Sequence, residues 1–361
     1  MSIRLRHLGL ALIAAVPVPA AAQQPERHTL TGDRVAIYDL AGQIRIDPGT
    51  GTDVVVEITR GGRDLGQLKV ERGPVESMPG YETLRVLFPS DEISYPALHR
   101  GSRTQMSIRD DGTFNDHDNN GRKWGRHSDR RVTITSYGSG LEAWADLHIT
   151  VPAGKRVDVN VGVGDITVTN VDGHLSVDGN SSTVTARGTK GNFNVDVGSG
   201  SVTVNDAQGQ VSIDTGSGDV ELTTFKGTDL SIDTGSGSVS GTTIAADAVN
   251  VDTGSGSITL SGVSSPDLKL DTGSGDVDLD LVSDVDAVSI DTGSGSVTLH
   301  VPADVGAVLD IESSSGGVES DIPLEVTKWG SDRVAGRIGD GKGRIAVETG
   351  SGRVRIVKRL K

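Results

Sequence analysis

Two acidic patterns in this 361-residue chain could do chemistry. Asp-Thr-Gly-Ser-Gly stands intact at Asp214, Asp233, Asp252, Asp271 and Asp291. A carboxylate heading such a turn could share a proton with a facing carboxylate or offer oxygen to a hard cation such as Ca²⁺. The second pattern is Asp116-His117-Asp118-Asn119-Asn120-Gly121. It matches the first half of a calcium loop, with Asp116, Asp118 and Asn120 as candidate ligands. Position twelve, where a bidentate Glu is expected, is His127. Half a motif is a weak signal, and polar turn residues in an exposed loop are the simpler reading. Trp124, Tyr137 and Trp144 lie nearby in sequence, and aromatic faces with polar neighbours can stack on sugars. Filling the core of a cap is their more usual role.

Other chemistry has no residues to run on. The chain has no Cys, so disulfides, thiol catalysis and Cys-held zinc are excluded. There is no Gly-x-Ser-x-Gly elbow and no His-Glu-x-x-His. Gly339-Asp-Gly-Lys-Gly-Arg344 lacks the Ser or Thr that follows Lys in a phosphate loop. Asp-Thr-Gly-Ser is also the motif of pepsin-like proteases, but here the copies run in tandem and would stack rather than face each other. The expectation is a protein without catalytic residues or cofactor, Ca²⁺ being the one metal worth testing.

The elements that position the acidic motifs form a repeat. Degenerate copies stand at Asn160, Asp178 and Asp196 before the five intact ones, and at Glu312 and Glu348 after them. The spacings are 18, 18, 18, 19, 19, 19, 20, 21 and then 36, the last gap containing an insertion at 322–344. Apolar residues recur at fixed offsets, as at Val195, Ile213, Ile232 and Val251, and alternate with polar ones at the strand period. A unit this short buries its apolar face only by stacking on its neighbours. The expected fold is therefore all-β: a single-stranded parallel β-solenoid, or β-helix, right-handed by analogy with known β-helices. Stacking would set Asp178, Asp196, Asp214, Asp233, Asp252, Asp271 and Asp291 in a ladder about 4.8 Å apart. This ladder could meet cations or a ligand. The simpler expectation is that each carboxylate accepts hydrogen bonds from its own turn.

Three regions follow. Residues 1–22 carry Arg4 and Arg6, a short apolar run and Ala20-Ala21-Ala22, the pattern of a cleaved signal peptide. Export to the periplasm, the outer surface or the medium of a bacterium follows. Residues 23–156 are β-rich but irregular and suit a cap, with 91–131 read as a polar loop. Residues 157–361 are the solenoid. The net charge is −15, and loss of the two signal arginines takes it to −17. Residues 157–322 hold 4 Lys/Arg and 26 Asp/Glu, whereas 323–361 hold 10 and 4. An acidic rod with a basic end is not a nucleic-acid binder, and it could associate head to tail. No later segment is long and apolar enough for a transmembrane helix.

The tandem Asp-Thr-Gly-Ser-Gly units, Gly140-Leu-Glu-Ala-Trp-Ala-Asp-Leu147, Val151-Pro-Ala-Gly154 and Gly339-Asp-Gly-Lys-Gly together resemble a bacterial β-strand-repeat family catalogued as "putative adhesin", a domain of unknown function. The resemblance covers about residues 30–361. It implies an exported, repeat-built, non-enzymatic envelope protein and transfers no catalytic residue. The implied partner is an envelope or host-surface protein or glycan. Glycan binding or polysaccharide turnover through the 100–144 region is the alternative.

Overall fold

The computed structural model describes residues 24–114, 130–330 and 333–359. The signal-like segment 1–22, the calcium-loop residues Asp116, Asp118 and Asn120, and Trp124 lie outside the described residues. The fold is a parallel β-solenoid. Asp172–Ser181 pairs with Lys190–Ser199, and Lys190–Ser199 with Val202–Thr215, each in register eighteen residues on. Val202–Thr215, Val220–Thr234 and Val239–Thr253 continue the stack at a step of nineteen beyond Gly209. The extra residue enters as a bulge where Gly209 pairs with Gly227 but Gln210 with Asp229.

Each coil folds back at the Asp-Thr-Gly-Ser-Gly corner, where glycine is demanded by close approach. A Cβ on Gly237 would stand 1.8 Å from the Gly218 carbonyl oxygen of the preceding coil, and one on Gly256 1.8 Å from that of Gly237. A second corner uses backbone twist. Asn170, Gly188, Asp206, Thr224, Thr243 and Gly262 all have φ between 52° and 70°, one per coil. Asn, Asp and Gly adopt that region readily; Thr does not, so stacking must hold Thr224 and Thr243 there.

The interior holds the alternating Val, Ile and Leu columns and one polar column. Thr215, Thr234, Thr253, Thr272, Thr292 and Thr349 are buried. Thr253 Oγ1 donates to the Gly237 carbonyl at 2.9 Å and accepts the Gly256 N–H at 3.0 Å. The same pair of bonds recurs at Thr234, Thr272 and Thr292. Each threonine thus satisfies one donor of its own turn and one acceptor of the coil before it.

At three places the arrangement departs from the sequence expectation. First, the stack begins before residue 157. Arg34–Ala41 and Ile44–Gly49 pair in parallel with Arg156–Val163 and Ile166–Thr169, so 34–49 is a coil and 50–155 is an excursion from it. Second, 91–131 is not simply a loop. Glu92–Ser94, Arg130–Thr135 and Arg103–Ile108 form a small sheet, because Met106, Ile108, Val132 and Ile134 alternate and are buried. Third, the final coil is not at the end. Gly343–Thr349 lies between Ala287–Thr292 and Ala307–Ser313, parallel to both. The insertion supplies the hairpin Glu325–Trp329 and Arg333–Ile338, which pairs antiparallel outside Ala307–Ser313.

At the N-terminal end the excursion adds strands beyond the first coil. Val54–Gly61 lies antiparallel to Trp144–Pro152 and Glu26–Leu30, and Glu82–Leu87 covers Arg34–Ala41. Tyr38 packs edge-on to Phe114 with ring centroids 5.5 Å apart.

Candidate functional site: the acidic face

Strand pairing sets Asp178, Asp196, Asp214, Asp233, Asp252, Asp271 and Asp291 side by side in one row. Glu348 and then Glu312 extend it. Asp and Thr are adjacent on an extended strand, so with Thr turned inward each Asp points out. Asp196, Asp214, Asp233, Asp252 and Asp291 are exposed, and Asp178 and Asp271 half-exposed. The row beside it is Ser176, Asn194, Ser212, Ser231, Asn250, Lys269 and Ser289, so carboxylates run next to short neutral donors with one cation.

The expectation that each Asp is held by its own turn meets a competitor. The Gly237, Gly256, Gly275 and Gly295 amides go to the interior threonines. The Gly235 and Gly254 amides go to carbonyls of the preceding coil. Two acids past the turn bind the backbone of the next coil. Asp219 accepts the Ser238 N–H at 2.8 Å and Asp276 the Ser296 N–H at 2.7 Å, each from the next coil. Two ladder carboxylates also feel their neighbours. Partial burial, then the Asp214 charge, raises Asp233 above the ordinary carboxylate value. Burial, then Asp271 and Asp233, raises Asp252, with Lys269 opposing. Among the described residues no group of three or more His, Asp or Glu converges as a metal cluster. The ladder is a line of single charges, suited to a long or multivalent cationic partner.

The aromatic candidates do not share a platform. Trp144 is half-buried, packed on Tyr95 with centroids 5.9 Å apart and pressed against Gly61, so it belongs to the cap core. Tyr137 is 61% exposed and carries the Arg100 guanidinium 6.0 Å over its ring.

Two features were missed in the sequence. One is a polar groove of about 810 Å³ at the cap junction, lined by Arg45, Glu57, Asp146, His148, Asp165 and Thr167 among others. In it His148 Nε2 lies 2.9 Å from Asp47 and Nδ1 3.5 Å from Glu57. These residues come from strands far apart in the chain, and nothing in their local spacing announces the groove. The other is Asp39, in register through Val161, Gly179 and Val197 with the buried Thr215 column. Asp39 is fully buried, and neither carboxyl oxygen makes a hydrogen bond of good geometry. Burial pushes its acid well above the usual range; the Asp146 charge adds to this, and the Ala41 and Leu40 amides offset it in part.

The family model described as Toastrack DUF4097 matches residues 145–357. No curated protein matches the chain. A crystal structure described as a putative cell adhesion protein from Clostridium sporogenes ATCC 15579 is similar over 93% of this chain and 100% of that one, at 11% identity and a TM-score of 0.23. So loose a superposition carries no functional argument. No helix among the described residues is long and apolar enough to cross a membrane.

Proposed function

This chain belongs to the Toastrack DUF4097 family, whose function is unknown, and from that premise we propose that it is an exported, non-enzymatic module of the bacterial envelope. In this reading it binds a partner through the acidic face of its solenoid. The observation that carries the reading is the outward carboxylate row, one acid per coil in register, on a stack held from inside by buried threonines. A rigid row with one charge per coil favours a partner presenting basic groups at a matching repeat, each contact adding to the next. Export rests on the N-terminal pattern, and fractionation with N-terminal sequencing of the mature protein tests it. Cleavage within residues 20–24 is expected, and an uncleaved cytoplasmic chain overturns it.

The binding test compares the mature chain with Asp214→Asn/Asp233→Asn/Asp252→Asn on isolated envelopes. The variant should lose binding at least tenfold while keeping its circular dichroism. Equal binding by both removes the acidic face from the proposal. A second reading, glycan recognition at the cap, is favoured by the exposed Tyr137 beneath Arg100. It predicts a glycan signal that Tyr137→Ala abolishes.

A further inference from the structure

The spatial order of the last coils differs from their chain order, and two independent sets of bonds say so. In the backbone, Ala287–Thr292 pairs with Gly343–Thr349, which pairs with Ala307–Ser313. Val297–Val301 likewise pairs with Val354–Lys358, which pairs with Val318–Ser320. In the interior column, Thr349 Oγ1 donates to Gly295 and Ser313 Oγ donates to Gly352, both at 2.9 Å. Among the described residues, strand pairing between coils 287–301 and 307–320 runs only through 343–358.

The segment matches its slot chemically as well as in register. Ile345, Val347, Val354 and Ile356 are buried in the apolar columns. Past Glu348, which continues the acidic row, its outer face turns basic beside acidic neighbours. Arg353 lies 3.5 Å from Glu319, Arg355 3.2 Å from Asp321, and Arg359 2.7 Å from Asp280. Three basic side chains of the terminal stretch are therefore paired within the chain. A short tether, Gly339 to Lys342, joins the segment to the hairpin, with Gly339 and Gly341 at φ 54° and 69°.

We propose that residues 343–358 are an exchangeable coil, and that the slot between coils 287–301 and 307–320 accepts this segment from a second copy of the chain. Every contact just described is the same whether the segment comes from its own chain or from another, which is the condition for swapping. The short tether keeps the local concentration of a chain's own segment at about the millimolar level. The closed monomer then prevails in dilute solution, and exchange appears when chains fold while concentrated. Reciprocal exchange gives a dimer, and serial exchange joins solenoids into a chain. The inference stands apart from the ligand-binding reading, since it concerns residues off the 214–252 face.

The natural chain has no Cys, so engineered thiols report the exchange cleanly. Ser289 and Ala346 are registered partners on adjacent parallel strands, about 4.8 Å apart and within reach of a disulfide. In the mature chain, Ser289→Cys/Ala346→Cys should close an intramolecular disulfide. Ser289→Cys and Ala346→Cys chains, refolded together near millimolar concentration and oxidised, should give a mixed covalent dimer. Its yield should exceed severalfold that of Ala346→Cys paired with Ser231→Cys, which lies on a distant coil. A mixed yield no higher than this control overturns the exchange. Failure of the double variant to close overturns the slot itself. Neither result bears on envelope binding by the Asp→Asn variants.

Discussion

At the scale of single residues, two kinds of acid behave oppositely. Asp39 occupies a place in the interior column where later coils hold Thr, and it lacks a well-formed hydrogen bond. An unfolded carboxyl titrates near pH ~3.9, and burial lifts Asp39 above that in the fold. The folded state then holds the proton more tightly. Stability is greatest below pH ~3.9 and falls as pH rises through the folded value. Asp39→Thr or Asp39→Asn should therefore raise the melting temperature at pH 7 by a few degrees and have little effect at pH 3. An unchanged or lower value at pH 7 would show that the carboxylate has a role the fold does not reveal. The ladder acids are mostly exposed, so their repulsion is screened. Asp233→Asn/Asp252→Asn should stabilise by no more than a few tenths of a kcal/mol at low salt. Because both are raised in the fold, the wild-type deficit grows as pH rises through their titration. Comparing melts with and without 0.5 M salt at pH 7 checks this, since the gain should vanish when charges are screened.

At the scale of the element, the Thr-Gly-Ser-Gly corner holds each coil to the one before it. Thr253→Val would orphan the Gly256 amide and the Gly237 carbonyl, a loss of about 2–4 kcal/mol on the usual cost of buried unpaired groups. Thr253→Ser keeps both bonds and should cost far less, as urea melts of the two variants would show. Gly256→Ala drives a methyl onto the Gly237 carbonyl, and coils that cannot part should make it cost about 3 kcal/mol. The sequence displayed this corner plainly, because five intact copies follow one another. It left open which residue does the work. Asp and Thr recur equally well, and only their opposite faces on the strand separate an exposed charge from a buried hydroxyl. The groove around His148 was illegible for another reason. Its residues meet through pairing of Val54–Gly61, Trp144–Pro152 and Ile44–Gly49, and strand pairing at such distances leaves no period to read.

At the scale of the whole molecule, stability is that of a stack in which each coil answers mainly to its neighbours. Coil 307–320 rests on 343–358, so the two should open together. In hydrogen–deuterium exchange, amides of Ala307–Ser313 and Gly343–Thr349 should share one opening rate, faster than that of Val239–Thr253 at the centre of the rod. Independent rates would show that the hairpin paired on its other side holds coil 307–320 without 343–358. The charge of the molecule follows the same topology. Its acidic rod is closed near the C-terminal end by basic side chains lying between acidic coils. Salt should accordingly speed the opening of 343–358 while sparing the central coils.

The sequence by itself determined that this is a parallel solenoid, where its corners fall, and that one face carries a carboxylate per coil. A repeated unit whose apolar face no single copy can bury leaves stacking as the solution. Tertiary structure alone decided that 34–49 is a coil, that an acid is buried at Asp39, and that the last coil in the chain is not the last in the stack. Each depends on pairing across an excursion of the chain. Backbone hydrogen bonds between parallel strands are indifferent to how much sequence separates them, so local pattern gives no sign of which edge a strand will meet.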